Sequence, residues 1–202
     1  MALQASVREA AAPASPYKDG PAPSERAIGE VVGLESGATV TVRPIDLTDA
    51  FKLRRMFERL SPETVYHRFF APIPTPRDEM LMHISTVDHA TREALVAVAH
   101  DGEVVGIAQY EAHAGAEEAE VAITVEDAWQ GSGLGTELLL RLGKLGARRG
   151  LVAFTAIVMG ENSAAVRFLK RLSPETTVRL DRGEYVVYAP LRRAPAGRSA
   201  TR

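Results

Sequence analysis

Cysteine is absent from this chain of 202 residues. Disulfide staples, cysteine zinc sites and thiol nucleophiles are therefore excluded, and a reducing compartment is the natural setting. Long apolar runs are missing too. The longest, Ala94 to Ala99, falls far short of the roughly 20 residues that span a bilayer. The N-terminal stretch "MALQASVREAAAPASPYKDG" carries charges and prolines throughout, unlike a signal peptide, so a cytoplasmic protein is expected. The five histidines, at 67, 83, 89, 100 and 113, show no metal-ligand spacing, and no metal is expected. A basic face is lacking as well. Residues 30–190 hold 17 basic against 23 acidic side chains, which argues against nucleic acid and suits a basic, amine-bearing substrate.

What is present is an apolar fraction of 46%, enough for one sizeable domain. Residues 1–27, rich in Ala, Pro and Ser, read as a disordered leader, and 192–202, "RRAPAGRSATR", as a disordered basic tail. A single domain is expected over 28–191, and the leader is too short for a fused regulatory nucleotide-binding domain.

Within it, "ATVTVRPI" (38–45) alternates with period two and is β-branched, so it predicts a strand. Asp46 is placed to cap a helix whose inner side carries Phe51, Leu53, Met56, Phe57 and Leu60. Ser61 followed by Pro62 starts another, and Thr75 followed by Pro76 a third. "REALVAVAHDGEVVGIAQYEA" is a hairpin turning at Asp101-Gly102, and "EEAEVAITVE" a third strand of the meander. A leucine-rich helix over 133–149 ends at Gly150, a buried-type strand covers 151–159, and a short helix follows from Asn162. The closing hairpin turns at 181–183. The class is α/β with a mixed, mostly antiparallel sheet, and its one βαβ unit runs from 117–126 through the leucine-rich helix to 151–159.

At the entry to that helix stands "AWQGSGLGTELLL", with glycines at 131, 133 and 135. A helix N-terminus leaves N–H groups unpaired and carries partial positive charge, while glycines let an anion approach without meeting a Cβ. The amides from Gly131 to Thr136 can thus converge on a diphosphate. The pattern is neither G-x-G-x-x-G after a first strand nor the Walker loop, so dinucleotide oxidoreductases and nucleotide hydrolases are not expected.

The loop "QGSGLG" resembles the [QR]-x-x-G-x-[GA] motif of the GNAT N-acetyltransferases. The segments "LSPETVYHRFF", "EALVAVAHDGEVVGIAQY" and "AEVAITVEDAWQGSGLGTELL" look like the GNAT domain of bacterial protein-lysine acetyltransferases, and the likeness covers residues from about 28 to 191. It implies a GNAT fold, in which two parallel strands splay apart and acetyl-CoA, the co-substrate, lays its pantetheine arm along one of them. Carried over, that backbone is Ile123, Thr124 and Val125. The loop of Gln130, Gly131, Ser132, Gly133, Leu134, Gly135 and Thr136 would hold the pyrophosphate. Asn162 matches an asparagine that contacts the cofactor or the amine; as a residue in its own right it also reads as a helix N-cap.

A lysine amine, with a pKa of about 10.4, must lose a proton before it attacks a thioester. Glu120 shares a strand face with Ala122 and Thr124, two residues from the cofactor-binding backbone. The resemblance makes it the base; otherwise it is a solvated strand charge like Glu117 and Glu118. One departure is visible: where many relatives carry a tyrosine to protonate the leaving thiolate, this chain has Leu169. Ser163, Tyr185 and Tyr188 are the remaining hydroxyls considered there. Direct transfer to an amine is expected, most readily to a protein lysine, by a monomer or homodimer. A small-molecule amine acceptor and a non-catalytic acyl-CoA-binding module are the alternatives.

Overall fold

The computed structural model describes residues 2–3, 29–72 and 76–191. The expected leader and tail lie outside these, apart from Ala2 and Leu3, and so does Thr75. Among the described residues are nine strands and five α-helices: β1 (Ala2–Leu3), β2 (Glu30–Gly33), β3 (Thr39–Pro44), α1 (Ala50–Glu58), α2 (Pro62–Phe69), α3 (Asp78–Ser85), β4 (Arg92–Val98), β5 (Val104–Glu111), β6 (Glu118–Val125), α4 (Leu134–Arg148), β7 (Ala153–Met159), α5 (Ser163–Leu172), β8 (Thr177–Asp181) and β9 (Glu184–Pro190). No helix among them is long and apolar enough to cross a membrane.

The sheet runs β2-β3-β4-β5-β6-β7-β9-β8 and is antiparallel except where β6 meets β7. This is the expected mixed sheet, with β6–α4–β7 as its βαβ unit. β2 adds an edge strand that the period-two reading began too late to include. The hairpins turn where expected, through Gly102 at φ +83 and through Arg182 and Gly183 at φ +50 and +90.

Alternation along the strands divides the interior into two cores. Leu95, Ala108, Tyr110, Val121 and Ile123 pack with Leu134, Leu138 and Leu142 of α4 and with Phe168 and Leu169 of α5. On the opposite face Ala94, Val96 and Ile107 pack with Leu53, Met56 and Phe57 of α1, Val65 of α2 and Leu81 and Ile84 of α3. The sheet is thereby covered on both sides, and side chains of β6 alternate between the α4–α5 face and the α1–α3 face.

Local signals account for most helix starts. Asp46 accepts from the Thr48 N–H and caps a 3-10 turn (Leu47–Asp49) that leads into α1. Ser61 caps α2 by accepting from the Thr64 N–H. α3 starts later than the Thr75-Pro76 pattern suggested, with Arg77 as a cap residue that offers no side-chain bond. Phe51, expected on the inner side of α1, is 62% exposed: two residues before Leu53 it stands about 200° around the helix from it, on the outer side, where its ring lies under the Arg55 guanidinium at 4.6 Å. Arg149, at the end of α4, reaches the buried Glu93 at 2.6 Å and the Tyr110 hydroxyl at 2.8 Å. Burial pushes the Glu93 carboxyl up, but His89 and Arg149 outweigh it and hold it below the usual range.

Candidate acetyl-CoA site

β6 and β7 pair in register only from Glu118 to Glu120 against Ala153 to Thr155. Beyond that point the two strands continue to Val125 and Met159 without pairing to each other. The parallel pair therefore opens into a cleft whose β6 wall is Ile123–Val125, the expected pantetheine backbone. That edge of β6 receives main chain in this structure: Ala2 pairs antiparallel with Thr124, and Leu3 with Ile123. The β6 edge thus accepts the main chain of an extended segment.

The loop after β6 is held from three sides. Asp127 accepts from the Ser61 N–H and from the Ser61 hydroxyl, each at 2.8 Å, and from the Thr64 hydroxyl at 2.8 Å. Burial raises the Asp127 carboxyl, yet these hydrogen bonds win and bring it below the ordinary aspartate range. Gln130 donates its side-chain amide to the Val125 carbonyl at 3.1 Å and the Thr64 hydroxyl at 3.2 Å. Its side chain therefore braces the loop against β6 and α2. On the third side the Glu35 N–H donates to the Ser132 carbonyl at 3.0 Å, latching the β2–β3 turn onto the loop. Asp127, Thr64 and Glu35 were not read as site residues. Only the Ser61–Thr64 cap hinted at them, because their partners are some 60 to 100 residues away in the chain.

Gly131 and Gly133 adopt φ of +73 and +88, where an L side chain is strained, so these two positions require glycine. The Ser132 hydroxyl turns inward to the Trp129 carbonyl at 2.6 Å and accepts weakly from Leu134 N–H at 3.4 Å, starting α4. Trp129 packs against the core beside the loop. Gly131, Ser132, Gly133, Gly135 and Thr136 donate their backbone N–H groups to no described residue, which leaves a row of donors at the positive end of a 15-residue helix. A cavity of about 310 Å³ lies against this loop, between Trp129–Ser132 and the Ser36–Ala38 turn. The residues present fit a diphosphate followed by an extended amide arm.

Asn162 is 5% exposed at the start of α5, and its Oδ1 accepts from the Ala165 N–H at 3.1 Å, so the cap is real. Its position at the β7–α5 junction faces the open end of the cleft. Leu169 is 4% exposed inside the α4–α5 core, so the departure from the family's tyrosine leaves no hydroxyl at that position.

Glu120 stands at the last paired step before the cleft opens. Strand register sets Arg92, Glu111, Glu120, Thr155 and Tyr188 in one row across β4, β5, β6, β7 and β9. Paired residues share a face, so this row lies on the α1–α3 side. Glu120 is half-buried, unlike the exposed Glu117 and Glu118. Thr124, two steps further along on the same face, is fully buried with an unpartnered hydroxyl oxygen. Tyr188, which sequence alone does not place, is the phenol in the Glu120 row. It lies two strand spacings away, or roughly 10 Å. His113 is exposed beyond the end of β5.

Known proteins share this fold. Residues 53–173 match the family model described as Acetyltransferase (GNAT) family. The acetyltransferase PA5475 of Pseudomonas aeruginosa is 32% identical over 137 residues, covering 66% of this chain and 74% of the relative. The GNAT domain of S. lividans PAT superposes with a TM-score of 0.76 at 31% identity, over 81% of this chain and 97% of that one. A Thermoplasma acidophilum N-acetyltransferase solved with coenzyme A shares the fold, with a TM-score of 0.63 at 17% identity over 75% and 98% of the two chains. With a splayed strand pair, a glycine loop of unpaired amides and a family model spanning both, this chain belongs to the GNAT family of acetyl-CoA-dependent acetyltransferases.

Proposed function

We propose that the acetyl group passes directly from acetyl-CoA to a lysine side chain of a protein, with Glu120 as the base. The observation that carries this reading is the position of Glu120, at the mouth of the β6–β7 cleft on a face that opens to solvent. Its register partner Glu111 and the neighbouring His83 are each about half exposed, at 49% and 47%. An acceptor amine would approach this rim from solvent, which suits a long side chain presented by another surface. The carboxylates there attract the ammonium form and take its proton. The chain has no cysteine, so a cysteine-linked acetyl-enzyme is excluded and attack occurs within the ternary complex.

The cofactor would lie with its pyrophosphate on Gly131–Thr136 and its pantetheine along Ile123–Val125, and it supplies the activated thioester. The chain's own contributions are alignment of the two reactants and proton removal at Glu120. Mass spectrometry of lysate proteins incubated with acetyl-CoA, with and without this protein, tests the acceptor. New acetyl-lysine sites support the reading; transfer to polyamines or aminoglycosides alone would replace it with the small-amine alternative.

Because pantetheine and Ala2–Leu3 would use the same β6 backbone, each must displace the other. Backbone hydrogen bonds contribute about 1 kcal/mol net apiece. Removing residues 1–3 is therefore expected to tighten CoA binding about three- to tenfold in calorimetry. Unchanged affinity would show that the pairing does not compete.

A further inference from the structure

A cavity adjoins the inner end of the β6–β7 cleft. Pairing stops at Glu120 opposite Thr155, so the first unpaired step is Val121 on β6 and Ala156 on β7. Both side chains belong to the α4–α5 core, on the face of the sheet opposite to Glu120. Both also line a cavity of about 310 Å³ between α4, α5 and the sheet. Leu139 of α4, Leu169 of α5, Phe154 of β7 and Val187 of β9 contribute its walls. The lining is apolar except for Lys144 and Ser173, and its solvent side carries Leu140, 44% exposed, beside the exposed Lys144.

The course of the cofactor leads to this space. A pyrophosphate on Gly131–Thr136 lies past the C-terminal end of β6, and a pantetheine arm along Ile123–Val125 runs from there towards Val121. The thioester end of the arm thus arrives where the strands close, with Glu120 on one face of the sheet and the cavity on the other. From Val121 and Ala156 the cavity continues towards the start of β7, where Ala189 and Pro190 pair with Phe154 and Ala153. An amine arriving on the Glu120 face and an acyl chain leaving by the α4–α5 face do not compete for room.

As packing alone such a space is costly, because its lining loses contacts that a close-packed interior would make. Alanines at 156 and 189 stand on two of its strands, where larger apolar residues would fill it. An acetyl group, with its single methyl, has no use for this volume. An apolar cavity of about 150 Å³ holds benzene, so one about twice as large suits a straight chain of roughly four to eight carbons. Leucine at 169 leaves that wall without a hydroxyl, which favours hydrocarbon over a polar acyl group.

We propose that this cavity binds the acyl chain of a CoA thioester, selecting straight-chain acyl-CoAs of about four to eight carbons over acetyl-CoA. This rests on the reading of the cleft as the CoA site. Calorimetric titration of CoA, acetyl-CoA and hexanoyl-CoA into the native protein and into Ala189→Leu tests it. Ala189 lies two residues past Val187, opposite Phe154, and is only partly buried, so a leucine there shortens the cavity without touching the cleft.

Hexanoyl-CoA is expected to bind the native protein at least about tenfold tighter than acetyl-CoA, since burying four further methylenes is worth more than one factor of ten. Ala189→Leu is expected to cut that gain by about fivefold or more, while its affinity for CoA stays native. Hexanoyl-CoA binding no tighter than acetyl-CoA overturns the proposal on the native protein alone, which covers the case in which Ala189→Leu does not fold. An equal gain in folded Ala189→Leu puts the chain outside the cavity and overturns it too. Failure of CoA itself to bind would remove the reading of the cleft as well, whereas CoA binding with no gain for hexanoyl-CoA removes only the acyl site.

Discussion

Gly133→Asp is expected to lose CoA binding by about a hundredfold or more. Three effects act at this one position. The φ of +88 is left-handed, and forcing an L side chain into it costs about 1 kcal/mol. An added Cβ would meet Cγ of Glu35 at 3.3 Å, so that side chain would have to swing aside. Above all, the new carboxylate would stand among the unpaired amides meant for the diphosphate. At about 4 Å and an effective dielectric of about 20, two like charges repel by roughly 4 kcal/mol. Since 1.4 kcal/mol is tenfold in affinity, a hundredfold loss needs only part of this sum.

Gly133→Ala separates the terms, because it keeps the strain and the contact but adds no charge. It is expected to weaken binding by about tenfold or less. Calorimetric titration of CoA into each variant makes the comparison. Equal affinities for the aspartate variant and the native protein would remove the loop from the diphosphate site.

Glu120→Gln is expected to lower kcat at neutral pH by about a hundredfold, within the range that a positioned base contributes, with little change in affinity for CoA. The sign of its pH dependence follows from the acceptor. An amine of pKa about 10.4 gains neutral form tenfold per pH unit, so the variant's rate rises with pH and its deficit narrows above pH 9. A glutamine is nearly the shape of glutamate, so the α2–β6 packing survives. Initial rates across pH 6 to 10 check this, and a variant with native kcat at pH 7 would return Glu120 to the role of a strand charge.

Much of this site was legible in the residues. The glycine turn was visible because its requirement is local: glycines at 131 and 133 sit at positive φ, and the helix after them begins within three residues. Alternation along β6 placed Glu120 on one face and Ile123 on the other, and burial agrees. Asn162 was readable as a cap and is one. Gln130 matched the motif, yet its side chain serves as a brace to Val125 and Thr64. Sequence spacing cannot distinguish a side chain turned to a ligand from one turned to the strand it follows.

Phe51 shows another limit. It is apolar, but two positions before Leu53 it stands about 200° around the helix from the buried side, so apolarity placed it inside where helical spacing places it outside. Asp127 and Glu35 had no local signature of their own.

The sequence by itself determined the class of fold, the strand-to-helix glycine loop, the identity of the carboxylate beside the cleft and the absence of a thiol route. These depend on periodicity, backbone conformation and composition, which act over a few residues. The tertiary structure alone decided two further things: that β6 and β7 part after Glu120, and that Glu111 faces it in register. Each joins segments tens of residues apart, and such meetings are set by how the sheet and helices bury their apolar faces together rather than by any local pattern.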